Sequence, residues 1–124
     1  MSQVRRDRGD RARRSGRQAE VWAALWLMAK GYRILGFRLR TPQAEIDLLA
    51  TRSGALVVVE VKRRQDLNTA LEAVSPDQRE RLRRAGASLA QGRPAFRNAT
   101  VRLDLVALAP GRLPRHCVDA WQGG

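Results

Sequence analysis

Charged side chains recur at even spacing on two consecutive segments that are rich in β-forming residues. Side chains alternate between the two faces of a strand, so Glu60 and Lys62 point to the same face. The Ser53-Gly54 pair has the composition of a two-residue turn before this strand. Counting back across that turn places Asp47 directly opposite Glu60. The spacing therefore predicts two carboxylates and one ammonium group on one face of a β-hairpin.

Glu45 belongs to the same charged patch. A two-residue turn places Glu45 opposite Lys62, whereas a four-residue turn would place it opposite Glu60. Either even loop keeps these charges on one face, and an odd loop does not. The patch is either a functional site or an exposed sheet face on which Glu45 and Lys62 form an ordinary cross-strand ion pair. Spacing alone does not choose between these interpretations.

Two carboxylates that face each other across a hairpin repel, and in a shielded site one of them protonates unless a cation lies between them. Oxygen ligands favour Mg²⁺ or Mn²⁺, and Mg²⁺ often binds one or two carboxylates together with water and a substrate phosphate. Lys62 is placed to orient an attacking water or to stabilise charge that develops on a phosphate. The patch is therefore a candidate magnesium or manganese site.

A single cysteine and a single histidine limit the other chemistry that the chain can perform. Cys117 has no second cysteine for a disulfide within the chain, and with His116 alone it cannot build a conventional zinc centre. We predict that both residues pack in a late apolar stretch and act neither as nucleophile nor as metal ligand. This cysteine content fits a reducing compartment, and we expect a cytoplasmic protein.

The chain is strongly basic, with 24 Lys and Arg against 12 Asp and Glu and a net charge of +12. Such an excess favours a polyanionic partner, either nucleic acid or an anionic lipid surface. The length suffices for one domain, which we assign to residues 16–124. An Arg-rich arm at residues 1–15 precedes it, and its composition does not support folding. This arm is either a solvated extension or a segment that lies on phosphates.

Residues 16–30 form a predicted helix that is rich in Ala, Leu and Met. Apolar residues cover nearly all of its faces, so we expect it to be largely enclosed. The helix contains Trp22 and Trp26, and a third tryptophan, Trp121, lies near the end of the chain. We expect all three to pack against protein rather than to stack on nucleic-acid bases. The apolar part is too short to span a membrane, and we expect no signal peptide. One apolar side of the helix carries a carboxylate, because Glu20 shares that side with Ala23, Ala24 and Leu27.

The remaining signals give the order helix, three strands, helix, two strands, in a single domain without repeats. Ser75, Pro76 and Gln78 form a capping box that starts the second helix, which ends near residue 91. The segment before this helix, residues 64–74, is predicted to be a loop with some helical character. Strands are predicted at residues 32–40, 44–51, 55–63, 100–109 and 116–121.

Four motifs carry a resemblance to a known family. Over about residues 16–109 the chain resembles the bacterial YraN family, of the PD-(D/E)XK nuclease-like, Holliday-junction-resolvase-like superfamily, in Glu20, Ala44-Glu45-Ile46-Asp47, Glu60-Val61-Lys62-Arg63 and Arg102-Leu103-Asp104. The resemblance implies an α/β fold with a restriction-endonuclease-like mixed β-sheet flanked by helices. It also implies that Asp47, Glu60 and Lys62 form the core motif, with Glu20 as the acid supplied by the helix.

The chain departs from the usual pattern of that family at Ala44, Gln78 and Leu103, and none of these departures removes a candidate ligand. Within the last motif, Arg102 and Asp104 share a strand face. We predict that these two residues form an internal ion pair rather than a catalytic group.

The residues and the resemblance together lead us to expect a metal-dependent nuclease that hydrolyses phosphodiester bonds in DNA, RNA or branched DNA. Asp47, Glu60 and Glu20 would hold Mg²⁺ or Mn²⁺, and Lys62 would assist hydrolysis. A homodimer would allow two strands to be cut symmetrically. The side chains expected to contact the nucleic-acid backbone are Arg14, Arg17, Arg63, Gln78 and Arg79.

Two other functions are compatible with the same sequence. A non-catalytic nucleic-acid-binding module could keep a nuclease-like fold as a scaffold, because a fold does not guarantee an activity. A docking factor could use the basic arm and the tryptophans at a membrane or on another protein. The enzyme requires a divalent metal, whereas the binding module predicts an affinity that falls with salt and is indifferent to EDTA.

Overall fold

One five-stranded sheet organises the protein, for which the computed structural model describes residues 17–122. The strands are β1 (Arg33–Arg40), β2 (Glu45–Arg52), β3 (Ala55–Arg63), β4 (Thr100–Leu108) and β5 (Arg115–Cys117), and they lie side by side in that order. Only β3 and β4 are parallel, and the other neighbours are antiparallel. The helices are α1 (residues 17–29), α2 (Leu67–Glu72) and α3 (Pro76–Gly92), followed by a 3₁₀ turn at Pro94–Phe96. The predicted mixed sheet flanked by helices is confirmed.

The hairpin between β2 and β3 has the predicted two-residue turn. Ser53 and Gly54 have φ angles of 49° and 80°. Two consecutive positive φ angles are typical of the turn that matches the twist of the flanking strands. Arg52 consequently pairs with Ala55, and the register of the hairpin follows from that pair.

Strand β3 is covered on both faces, as its continuous apolar run predicts. Leu56 and Val58 pack in a core with α2 and α3, whereas Val57 and Val59 pack in a second core with α1. The sheet thus lies between α1 on one side and the two other helices on the opposite side. A central strand of this kind fixes the positions of the residues near its end, which here include Glu60 and Lys62.

Helix α1 is half enclosed, so the prediction of a largely enclosed helix is wrong. The predicted inner side is buried, with Ala23 and Leu27 fully inaccessible. The outer side has no covering element among residues 17–122, because the sheet contacts only one side of the helix. Apolar side chains are consequently exposed on the outer side, namely Val21, Trp22, Leu25 and Met28. The prediction that Trp22 packs against protein is therefore wrong for the part of the chain that the structure describes, because no element there covers its side of the helix. Within the described residues, no helix is both long and apolar enough to cross a bilayer.

Two further elements differ from the predictions. Helix α2 lies in the predicted loop, and the Asp66 side chain caps it by accepting the Thr69 N–H at 2.8 Å. Strand β5 covers three residues, whereas the predicted strand extended to residue 121. The chain turns after Cys117, and Trp121 packs into the core with its indole N–H donating to the Leu71 carbonyl at 3.1 Å. In this segment Ala120 and Trp121 are apolar because they pack against the core, whereas Val118 is exposed. The predicted capping box is present in its first half, since Ser75 Oγ accepts the Gln78 N–H at 3.1 Å.

Gly86 provides a test of the packing of α3 against strands β3 and β4. A Cβ atom at this position would lie 2.8 Å from a methyl group of Val58 and 2.8 Å from one of Val101, and β-branched side chains have few alternative rotamers. Gly86→Ala should therefore lower the free energy of unfolding by about 1–3 kcal/mol, as measured by urea denaturation. Gly92→Ala is the matched control, because nothing lies within 4 Å of its added Cβ. Equal stabilities of the two variants would contradict this packing.

Candidate metal and catalytic site

Asp47 and Glu60 lie where the hairpin pairing ends. The paired residues run from Arg52 and Ala55 to Leu48 and Val59, and the two acids are the next residues on each strand. Asp47 Oδ2 accepts the backbone N–H of Val61 at 2.9 Å. The side chain of Asp47 thus takes the place of a backbone partner and is held against β3.

The two carboxyl groups share a poorly hydrated environment. Glu60 is 2 % exposed. Burial raises the pKa of Glu60 to about 8, and the adjacent charge of Asp47 adds to the effect, whereas Lys62 opposes it. Burial also raises the pKa of Asp47, although the hydrogen bond from Val61 opposes that rise. The pair therefore does not readily hold two negative charges without a nearby cation.

Lys62 lies one strand repeat from Glu60 on the same face of the sheet. Its Nζ is 3.8 Å from Glu60 Oε2, and its side chain is 23 % exposed. Glu45 lies at the exposed edge of the group and is close enough to raise the pKa of Asp47. The structure thus brings Asp47, Glu60 and Lys62 together, with Glu45 at the rim.

Glu20 is held by an arginine that the sequence analysis did not select. Arg38 Nε lies 2.9 Å and 2.8 Å from the two carboxylate oxygens of Glu20. Glu20 is buried and is near enough to contribute to the raised pKa values of Asp47 and Glu60. This acid therefore belongs to the same electrostatic environment, but its own charge is balanced by Arg38.

Arg38 also has an unusual backbone conformation. Phe37 pairs with Leu48 and Leu39 pairs with Ile46, which places Arg38 beside Asp47. Arg38 has a φ of 49°, a left-handed conformation that is uncommon for a residue with a side chain. Counting residue pairs across the turn between β1 and β2, in the same way as across the Ser53-Gly54 turn, would have placed Arg38 opposite Asp47.

The described carboxylates form a pair rather than a larger group. Between residues 17 and 122 no three His, Cys, Asp or Glu side chains are placed so that they could hold a metal ion together. Asp47 and Glu60 are therefore the candidate ligands that the structure brings together. This number suits Mg²⁺, which commonly takes one or two protein carboxylates and completes its shell with water and phosphate oxygens.

The residues expected to contact nucleic acid fall into three groups. Arg17 and Arg63 are exposed. Gln78 and Arg79 are half-buried within the fold: Gln78 lies at the start of α3, and Arg79 donates to the Val74 carbonyl and lies 5.3 Å from the Trp121 ring. Arg14 lies outside the described residues. Arg79 thus has partners within the fold, and its contact with nucleic acid stays a prediction.

A second polar cluster surrounds Asp104 and is structural. Arg102 donates to both oxygens of Asp104 at 2.8 Å, which is the predicted internal ion pair. His116 Nε2 lies 2.7 Å from Asp104 Oδ2, and Lys30 Nζ lies 2.6 Å from His116 Nδ1. Burial alone would raise the pKa of Asp104, but hydrogen bonds from His116, Arg102 and the Asp119 N–H lower it. The cluster connects β4 and β5 to the end of α1.

The fold and the paired acids define an α/β protein with a five-stranded mixed sheet, helices on both faces and a carboxylate pair at the end of its central hairpin. Comparison with known proteins assigns it to a family. Residues 19–108 match the family described as "Uncharacterised protein family UPF0102", and the chain belongs to that family.

Several UPF0102 proteins are similar over most of their length. One from Caulobacter sp. (strain K31) is 69 % identical over 92 % of this chain and 82 % of its own. One from Caulobacter vibrioides (strain NA1000 / CB15N) is 65 % identical over 97 % of this chain and 96 % of its own. A third, from Parvibaculum lavamentivorans, is 48 % identical over 90 % of this chain and 84 % of its own.

Proposed function

We propose that the chain is a metal-dependent nuclease of the PD-(D/E)XK type, related to the YraN proteins. The observation that carries the proposal is the pair of adjoining, poorly hydrated carboxyl groups of Asp47 and Glu60, with Lys62 Nζ 3.8 Å from Glu60. Structural ion pairs also perturb pKa values, but they do so by placing opposite charges together. Here two like charges adjoin in a site with little water, an arrangement that a divalent cation would stabilise.

The donor set fits Mg²⁺ or Mn²⁺. Asp47 and Glu60 offer only hard oxygen ligands, and Asp47 is already fixed by the Val61 N–H. When bound, the ion would activate water and neutralise charge on the phosphodiester. Glu20, which Arg38 holds by two contacts, would maintain the electrostatic balance of the site and need not be a ligand.

Lys62 would act on the reacting groups directly. Its ammonium can donate to an attacking water or to a phosphate oxygen, and the strand fixes its position relative to Glu60. An ammonium so close to a carboxylate also favours the ionised form of Glu60 that a metal requires. The same side chain would thus serve both metal binding and hydrolysis.

Nucleic acid is the proposed partner. The net charge of +12 would attract phosphates without reading sequence, and exposed Arg63 directly follows Lys62. We place this activity in the cytoplasm, as the cysteine content indicates. Assembly as a homodimer through exposed Val21, Leu25 and Met28 is also part of the proposal, and the molecular mass in solution tests it.

A non-catalytic nucleic-acid-binding module is the second candidate. The contacts between Glu20 and Arg38 favour it, because they occupy the acid that the family resemblance implies as a third ligand. In that case a nuclease-like fold would present basic residues to a phosphate backbone without turnover.

A cleavage panel separates the two candidates. Purified full-length protein should be incubated with single-stranded, duplex, flap and four-way-junction DNA, and with RNA, in Mg²⁺, Mn²⁺ or EDTA. The nuclease should cut at least one substrate only with metal, and Glu60→Ala should not cut. Glu80→Ala is the matched control, because this acid is exposed and pairs with Arg84 on the surface of α3.

The opposite result would identify the binding module. Absence of both metal binding and cleavage would overturn the nuclease. Affinity for DNA that falls steeply with salt, and that neither EDTA nor Lys62→Ala changes, would then support the second candidate.

A further inference from the structure

A cavity of about 330 Å³ lies between α1 and the segment that follows β4. Gln18, Ala19 and Trp22 line it from the helix, Arg63 lines it from the end of β3, and residues 108–114 form the opposite wall. Its volume is at the lower end of the range of about 300–1,000 Å³ for small-molecule sites. A single ring system suits such a space better than an extended ligand.

Trp22 is the unusual feature of this cavity. The side chain is 63 % exposed, whereas Trp121 of the same chain is 8 % exposed. A tryptophan in a core buries its ring and satisfies its N–H, as Trp121 does. Trp22 instead lines a cavity that is also lined by two arginines, Arg63 and Arg112.

We propose that this cavity binds an unpaired nucleobase of a single-stranded nucleic acid, stacked on Trp22. Every base has a flat π face that stacks on an aromatic ring, and guanidinium groups provide contacts to the phosphates on either side. Gln18 offers an amide that can donate to and accept from a base edge. The combination of ring, arginines and amide matches a nucleotide better than a purely apolar ligand.

The cavity and the candidate site lie on different sides of the elements that they share. Arg63 follows Lys62 on β3, and successive side chains of a strand point to opposite faces of the sheet. Trp22 lies two residues after Glu20 on α1, so the two side chains point about 160° apart around the helix. The cavity is therefore a nucleic-acid contact additional to the candidate site.

A preference for an unpaired base defines a substrate class and rests on the proposed nuclease function. A base within a duplex is stacked on both faces and must be removed from the stack before an aromatic side chain can contact its face. Single strands and unpaired segments of branched DNA expose such bases without that cost. The cavity thus favours substrates that contain unpaired nucleotides.

The other exposed apolar side chains of α1, Val21, Leu25 and Met28, do not line the cavity. At 100° per residue, Leu25 points about 60° away from Trp22, whereas Met28 points about 120° away from it. Substitution of Met28 therefore changes the exposed apolar surface without changing the cavity.

Binding of a fluorescently labelled oligothymidylate by the full-length chain in EDTA tests the proposal without requiring cleavage. Trp22→Ala should weaken this binding about 5- to 150-fold, because a stacked base is lost, and Trp22→Phe should retain most of the affinity. Trp22→Ala and the wild type should bind a duplex of the same length with equal affinity. Met28→Ala is the matched control and should bind as the wild type does, because Met28 is exposed, does not line the cavity and points about 120° away from Trp22.

The salt dependence separates stacking from phosphate contacts. Trp22→Ala should leave the slope of affinity against salt unchanged, whereas Arg112→Gln should reduce that slope by about one. Unchanged binding by Trp22→Ala, an equal loss for single strand and duplex, or absence of oligonucleotide binding would overturn the proposal. Dissociation of a dimer by Trp22→Ala would also overturn it, by showing that the face contacts protein. If the wild-type protein binds the oligonucleotide but cleaves no substrate, the result contradicts the proposed nuclease and leaves the proposed base-binding cavity standing.

Discussion

Replacing Glu60 with glutamine should abolish Mg²⁺-dependent cleavage and should also remove most of the pH dependence of the stability of the metal-free protein. Both effects have the same origin, a carboxyl group that is buried next to Asp47 and resists ionisation. Glutamine has nearly the same shape but has no charge to offer a cation. Calorimetric titration with Mg²⁺ should therefore show no binding by Glu60→Gln at any pH at which the wild type binds.

The stability effect has a defined sign. The pKa of Glu60 is about 8 in the folded protein, against an ordinary value of 4.5. Between these values the folded state holds a proton that the unfolded state has released. The free energy of unfolding of the metal-free protein should therefore fall as the pH rises through this window, by up to about 1.4 kcal/mol per pH unit.

Urea denaturation in EDTA at several pH values within the window measures this decline. Glu60→Gln should show a much flatter profile, and the exposed Glu80→Gln should follow the wild type. Mg²⁺ should stabilise the wild type more strongly toward pH 8, because metal binding requires the ionised carboxylates. A wild-type profile with no decline would show that Glu60 ionises normally and that the site is not the one described.

Replacing Lys62 with methionine should lower the cleavage rate by about 10²–10⁴-fold, the usual effect of removing a positioned proton donor or acceptor. Metal binding should persist, since the proposed ligands Asp47 and Glu60 remain. Lys62 opposes the rise in the pKa of Glu60, so binding in the variant should move to higher pH. Methionine keeps an unbranched chain of similar length and removes the charge.

Single-turnover cleavage rates and Mg²⁺ titrations, both across a pH series, measure these two effects. Lys30→Met is the matched control, because Lys30 is the other lysine of the chain and contacts His116 rather than the site. Normal cleavage by Lys62→Met would exclude a direct role for this residue in hydrolysis. Complete loss of metal binding at every pH would instead show that Lys62 acts only by supporting Glu60.

The hairpin that carries Asp47 and Glu60 could be predicted because its geometry is local. The alternation of side chains follows from the backbone of a strand, and the Ser53-Gly54 turn sets the register within a few residues. The capping residues of α3 and the apolar run of β3 were equally informative, since their patterns repeat over one element. These features predicted the order of elements, apart from the short α2, and brought the two acids together.

Interactions between distant elements were decided by the tertiary structure. Arg38 neutralises Glu20, and Arg79 covers Trp121, because helices and sheet pack at angles and distances that no local pattern encodes. The all-round apolar character of α1 could not show which side the sheet would leave exposed. By itself the sequence determined the hairpin and its acids, because covalent geometry and strand periodicity specify them. Only the folded structure determined how far those acids are buried, which charge is balanced and where Trp22 is exposed, because these properties depend on long-range packing.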